Sequence, residues 1–229
     1  LAATEGATDF QQANALRRAA SVARNLKDYA KAEELAERIP LPAVAKTVRM
    51  ENLLAQRKHA DLLQQYDKED FSKWPFPYVA PAAFARARAY LLNKNGKAAE
   101  DDLQAALALT SDKRLRTNIL VNLGHNRETN LKDDNAALSA YRQNFVGKER
   151  IGGAEEFRSV QQAARILSRQ GKHDEALQTL ARIDATKLTG SWSSTTHAIE
   201  GDLLSAAGRK SEARGAYQKA LAKPGLPKA

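Results

Sequence analysis

Cysteine is absent from this chain of 229 residues, so neither disulfides nor thiolate chemistry can contribute to it. Methionine occurs once, tryptophan twice, and aromatics make up only 6% of the residues. No apolar run approaches the roughly 20 residues needed to span a bilayer; the longest lies around Ala105 to Leu109. Sustained alternation of period two is missing, as is any Asn-Gly turn framed by β-branched runs, which excludes a sheet protein. The marks of catalysis are missing too. His59, His125, His173 and His197 are scattered without a His-x-x-x-His spacing, so zinc has no ligand pair. No Gly-x-Ser-x-Gly elbow and no phosphate-cradling glycine loop occurs. Glu33-Glu34, Asp101-Asp102, Asp133-Asp134 and Glu155-Glu156 are adjacent carboxylates, which point about 100° apart on a helix instead of sharing a site. They are expected at helix starts or on exposed faces. Neither an enzyme nor a cofactor or metal is expected.

What the chain does contain is a recurring helical pattern rich in alanine, a residue suited to closely packed helices. It is clearest in FRSVQQAARILSRQGKHDEALQTLARI (157–183) and STTHAIEGDLLSAAGRKSEARGAYQKAL (194–221). In each, a small residue (Ala164, Gly201) stands three before a leucine (Leu167, Leu204), and a glycine turn follows (Gly171, Gly208). A second helix then brings an alanine (Ala176, Ala213), a larger apolar residue four on (Leu180, Tyr217) and another three later (Ile183, Ala220). Ala164, Ala20, Ala89, Gly124 and Gly201 are the expected points of closest helix approach. All paired positions in the two segments differ by 37 residues, near the period of about 34 of helix-turn-helix repeats.

On these residues, and on Pro224 after the last helix, the chain resembles the tetratricopeptide-repeat family. It departs from the family in lacking a large aromatic early in the first helix, where Val160 and His197 stand, as in divergent relatives such as Sel1-like repeats. The resemblance implies a right-handed α-α superhelix that serves as a protein-interaction module. Four further hairpins are expected on the same scheme, giving a single solenoid with hairpins at about 10–40, 43–70, 80–110, 114–147, 154–184 and 193–223. Three connectors interrupt it. Prolines in Phe71 to Pro81 are expected to forbid a helix, leaving Trp74, Phe76 and Tyr78 to cap the apolar edge between hairpins. Val146 to Ala154 reads as a long glycine-rich turn. Thr186 to Thr196 supplies the N-cap of the last repeat, with Ser193 or Ser194 the candidates.

Charge points to the ligand class. Thirty-six Lys and Arg against 27 Asp and Glu give a formal net charge of +9, which attracts acidic partners. Positions left free by packing on the first helices of the hairpins carry Asn14, Arg17, Ser21 and Arg24, then Arg86 and Tyr90, then Asn122 and Asn126, then Arg158, Gln161 and Arg165. Arginine offers a planar fork to carboxylates and amides bond an extended backbone. This inner face is expected to bind a protein or peptide, and its sign suggests an acidic one. Some domains of the family hold a partner's C-terminal carboxylate between basic and asparagine side chains; Arg86, Asn122 and Asn126 are of those types without completing the motif. Nucleic acid is not favoured, for there is no run of five basic residues and no interleaved aromatic series. The alternative class is a structural or assembly subunit of a bacterial envelope or secretion complex. Only Lys223 to Ala229 follows the final hairpin, so weak self-association through the Tyr217 and Leu221 face is expected. The small, polar stretch Leu1 to Thr8 suits a mature exported or trimmed chain, which favours a periplasmic or secreted location over the cytoplasm.

Overall fold

A computed structural model describes residues 8–146, 153–184, 188 and 190–222. Among them every regular element is helical. The chain divides into two compact units, Leu1–Leu131 and Lys132–Ala229. The first unit holds α1 (Asp9–Asn25), α2 (Tyr29–Glu37), α3 (Pro42–Ala55), α4 (His59–Tyr66), α5 (Phe76–Leu92), α6 (Gly96–Leu109) and α7 (Lys113–Thr129), with a 3-10 turn at Phe71–Lys73. The second holds α8 (Asp134–Arg142), α9 (Ala154–Arg169), α10 (His173–Leu180), α11 (Ser191–Ala206) and α12 (Lys210–Leu221). The architecture is the expected all-α helical repeat.

Local chemistry sets the helix ends. Thr8 and Gln11 form a reciprocal capping box at the start of α1. Asp28, Asn95, Asp112 and Asp133 each accept from a backbone N–H in the first turn of the following helix. The turns between paired helices share one device, a residue in the left-handed region. It is Lys27 (φ 63°), Arg57 (61°), Lys94 (58°) and Lys132 (59°) early in the chain, then Gly171 (75°) and Gly208 (76°). The residue after the turn commonly bonds back five positions, as Asp28 N–H does to Ala23, Lys58 to Leu53 and Arg209 to Leu204, all at 2.9 Å. That closes the helix C-terminus on its orphan carbonyls.

Within the first unit α1, α3, α5 and α7 lie side by side, and α2, α4 and α6 pack against them; in the second, α9 neighbours α11 in the same way. Small residues let the axes approach: Ala20, Ala89 and Ala164 are fully buried, and Gly124 and Gly201 are buried too. In the second unit Leu138, Tyr141, Phe145, Ile166, Leu167, Leu180 and Ile199 fill a common core. At the rate of about 1.5–3 kcal/mol per large apolar side chain, such burial dominates the stability of each unit.

Three expectations need correction. Prolines do not keep the 71–81 segment free of helix, because α5 begins at Phe76 with Pro77 in its first turn and Pro81 within it. A first-turn proline lacks only an N–H that would have been unpaired, and Pro81 removes one further bond early in a long helix. Trp74 does sit near an edge, stacked edge-on with Phe71 at 4.9 Å and donating Nε1–H to Glu69, and Tyr78 packs on the core of the first hairpin, but Phe76 is 64% exposed. Ser193 and Ser194 do not cap the last repeat: α11 starts at Ser191, both serines are buried inside it, and Gly190 (φ 58°) stands at the N-cap position. Not all acidic pairs lie outside, since Asp102 and Glu156 are buried. Of the Val146 to Ala154 turn, residues 147–152 lie outside the described residues, while Gly153 (φ 91°) immediately precedes α9; Pro224 and the terminal tail also lie outside them.

Candidate interaction surface

In the first unit the side-by-side helices bound a groove of about 400 Å³ lined by Phe10, Asn14 and Arg17 of α1, Val44, Thr47 and Glu51 of α3, Pro77, Tyr78 and Pro81 of α5, and Leu109 to Asp112 with Leu115. A cleft of about 360 Å³ continues it, sharing Glu51, Pro81 and Leu115 and adding Arg24, Leu54, Phe84 and Arg88. The spacings explain the lining: 10, 14, 17 and 24 share one stripe of α1, 44, 47, 51 and 54 one stripe of α3, and 81, 84, 85 and 88 one stripe of α5. An apolar floor with a charged rim results.

Of the residues expected on the inner face, Asn14 and Arg17 line this groove and Arg24 the adjoining cleft. Arg17 is exposed, while Arg24 is largely buried and donates to Glu51 at 2.7 Å. Arg86 faces elsewhere. Its Nε and Nη2 donate to the two oxygens of Asp102 at 2.7 and 2.8 Å, and Nη1 donates to the carbonyls of Tyr66, Asp67 and Glu69 at the end of α4. The guanidinium also lies 4.2 Å from the ring centre of Phe71. Burial works against its charge, but the Asp102 bonds outweigh it and hold the group above the ordinary arginine value. Tyr90, beside it, donates to Asp67. These two side chains bind the fold together.

Asn126 is likewise internal, fully buried with Nδ2 donating to Gly96 O at 2.9 Å and to Glu100 at 3.1 Å, while Arg127 pairs with the same carboxylate. The arrangement recurs earlier, where Asn52 of α3 donates to Tyr29 O and to Glu33, the latter also held by Arg49. In each case an asparagine three residues before a helix end ties the first residue of a preceding helix. Asn122 is half-buried and donates to Asn118 O. In the second unit Gln161 is buried and bridges α9 to α11 through Thr196 at 3.2 Å. Arg158 is exposed beside Glu155, and Arg165 is exposed with no ion pair among the described residues. The structure therefore brings Arg17 to the groove, Arg24 to the cleft beside it, and Arg158 and Arg165 to the surface of α9.

Sequence reasoning missed Glu51, Phe84 and Arg88. Arg88 opens to solvent and is not hydrogen-bonded among the described residues; its guanidinium carbon lies 5.9 Å from the Phe84 ring centre. Surrounding protein desolvates it and holds it below the ordinary arginine value, with Glu51 opposing that fall and Arg24 adding to it. The signal for this face was weak because Ala82, Ala83, Ala85, Ala87 and Ala89 bury α5 nearly all round. Among the described residues no three His, Asp or Glu side chains are placed to hold a metal ion, and no helix is long and apolar enough to cross a membrane.

Residues 132–226 match the model of the tetratricopeptide repeat-like domain. The match falls on the second unit. No curated protein matches it in sequence. Solved structures extend the likeness of fold to the whole chain. A Pseudomonas aeruginosa pilF structure superposes with a TM-score of 0.63 at 12% identity, covering 91% of this chain and 90% of that one. A Rap protein complexed with Competence and Sporulation Factor gives 0.55 at 15%, covering 93% and 66%. A kinesin light chain with nearly identical repeats from Podosopora anserina gives 0.54 at 17%, covering 91% and 93%. At these identities the likeness is one of fold alone.

Proposed function

We propose that this protein is a non-catalytic interaction module that holds a peptide or an exposed segment of a protein partner in the groove of its first unit. One observation carries the reading: residues far apart in sequence, Phe10, Thr47, Tyr78 and Leu115 among them, converge on one open groove of about 400 Å³ with an apolar floor. Such a groove needs an apolar anchor and a few polar contacts, the usual composition of a binding site. Net positive charge and Arg17 on the rim favour an acidic occupant. The Rap structure, solved with a bound factor, supports use of this fold for that purpose. Arg158 and Arg165 on α9 offer a basic stripe on the second unit. The assembly-subunit reading rests on a different observation, the exposure of Tyr217 (37%) and Leu221 (74%) on the last helix.

Site-specific photocrosslinking in cells separates the two. A photoreactive phenylalanine analogue at Phe76, which lines the groove and is 64% exposed, is expected to capture a discrete partner that the same analogue at exposed Lys97 of α6 does not. Capture from Leu221 alone would favour the assembly reading. Equal capture from Phe76 and Lys97, or none from Phe76, would refute the groove.

A further inference from the structure

Two grooves between successive second helices of the second unit differ in what crosses them. Between α8 and α10 side chains close the gap: Arg142 pairs with Glu175, and Arg182 donates to Phe145 O at 3.1 Å with its guanidinium 5.6 Å from the Phe145 ring centre. Between α10 and α12 the groove is open, about 870 Å³, with Leu177, Leu180 and Leu204 in its lining. Thirty-seven residues on from Glu175, Gln178, Thr179 and Arg182 stand Glu212, Gly215, Ala216 and Lys219, and Ala181, next after Leu180, replaces Arg142, next after Tyr141. No side chain of those types is left to bridge it. Gly215 is the most telling change. Glycine inside a helix weakens it, yet nothing lies within 4 Å of a Cβ added there, so no neighbour among the described residues calls for its smallness.

Glu212, Gly215, Ala216 and Lys219 form one stripe of α12 at helical spacing, and that stripe is complementary to itself. Glu212 and Lys219 lie equally far, roughly 5 Å at about 1.5 Å per residue, on either side of the midpoint between Gly215 and Ala216. A second α12 laid antiparallel through that point sets each Glu212 against the other copy's Lys219, with the small residues at the crossing. Glu212 is exposed and held only from its own helix, by Arg209 at 2.6 Å, while Lys219 is exposed with no ion pair among the described residues.

We propose that the groove between α10 and α12 receives a second copy of this chain, the two α12 helices crossing antiparallel on a two-fold axis between Gly215 and Ala216. Such a contact makes each ion pair twice and closes at two copies. It uses a side of α12 other than the one bearing Tyr217 and Leu221, and it is independent of the groove in the first unit. A net charge of +9 on each copy opposes the approach, so the dimer is weak and best seen at physiological salt, which screens charges beyond about 8 Å.

The test is sedimentation equilibrium of the whole chain at that ionic strength. The mass should rise with concentration from one chain to two. Glu212→Lys and Lys219→Glu should each lower the association constant by about tenfold or more, since like charges then meet twice across the axis. Both substitutions in one chain should bring it back, because the exchanged charges still face each other; a merely structural role for either residue gives no such rescue. Gly215→Leu should abolish the dimer while a thermal melt shows the chain folded, its new side chain entering open space. The sequence has no cysteine, so Gly215→Cys supplies a single thiol near the axis: mild oxidation should link the chains in pairs, and Arg214→Cys, on another side of α12, should not. A single-chain mass at every concentration, a dimer indifferent to the reversals, a doubly substituted chain no better than the single ones, or equal linking from both cysteines overturns the proposal. A dimer lost on Leu221→Ser and untouched by Gly215→Leu would overturn it too, placing the contact on the Tyr217 and Leu221 face.

Discussion

Gly201 of α11 sits against the ring of Tyr217 of α12 so closely that a Cβ added to Gly201 would lie 2.5 Å from Cε1 and 2.6 Å from Cδ1. The ring is rigid, so Gly201→Ala forces the whole side chain outward and strains the bond from Tyr217 Oη to Asp202, 2.8 Å. Overpacking of this kind costs about 1–3 kcal/mol. Chemical denaturation should show that loss, and it should shrink when Tyr217→Ala is combined with it, because the clashing ring is then gone. Additive losses would mean that the contact is not the cause.

This pair shows what was legible in the sequence. Glycine three before Leu204 and tyrosine four after Ala213 fit the small-to-large scheme of packed helices, and the hairpins followed from it. The stripe on α1 was legible as well, since Asn14, Arg17 and Arg24 share a face and reach the groove. On α5 the scheme failed by two residues. Arg86 and Arg88 lie about 200° apart around a helix, and with alanines buried on almost every side the pattern cannot say which arginine looks inward. Only the partners decide it: Asp102 and the end of α4 take Arg86, leaving Arg88 for the cleft.

Four turns were equally opaque, because lysine and arginine carry no sign that they will adopt positive φ. That conformation costs roughly 1–2 kcal/mol for a residue with a Cβ, against roughly 0.5–1 kcal/mol for the extra freedom of glycine when unfolded. Arg57→Gly at the exposed turn of α3 and α4 should therefore stabilise the first unit by about 0.5 kcal/mol. Gly208→Ala, where nothing lies within 4 Å of an added Cβ, should destabilise the second by about 1 kcal/mol through the backbone alone. Paired melts test the opposite signs; a loss in both would show that side-chain contacts, not φ, govern these turns.

The two asparagine ties should differ in strength. Asn126 has its amide fully engaged, donating to Gly96 and Glu100 and accepting from Asn130 at 3.0 Å. Asn52 donates to Tyr29 and Glu33, but its Oδ1 is buried without a partner among the described residues. Removing a satisfied buried amide strands its partners at about 1–3 kcal/mol. Asn126→Ala should lie in that range and Asn52→Ala below it, measured by denaturant midpoints. The reverse order would mean that the unpaired oxygen of Asn52 is not a burden on the fold.

Alkali should loosen the first unit through Tyr90. Burial, and then its hydrogen bond to Asp67, push the phenol up to about 12 from the ordinary 10.0, with Arg86 acting in the opposite direction. A raised value means that the folded chain keeps the proton while the unfolded chain gives it up. The stabilisation is thus complete below about pH 10 and is lost as pH climbs toward about 12. Denaturation at successive pH values should show stability falling across that window, and Tyr90→Phe should flatten the fall. Flattening will be partial, since Tyr66 and Tyr217 are also raised, by burial and by the Asp202 bond respectively. Asp67→Asn removes the carboxylate that disfavours a phenolate and should bring the Tyr90 titration down, read by tyrosinate absorbance against the Tyr90→Phe background. An unmoved titration would show that burial alone sets the value and that the Tyr90 to Asp67 bond does not hold α5 to the end of α4.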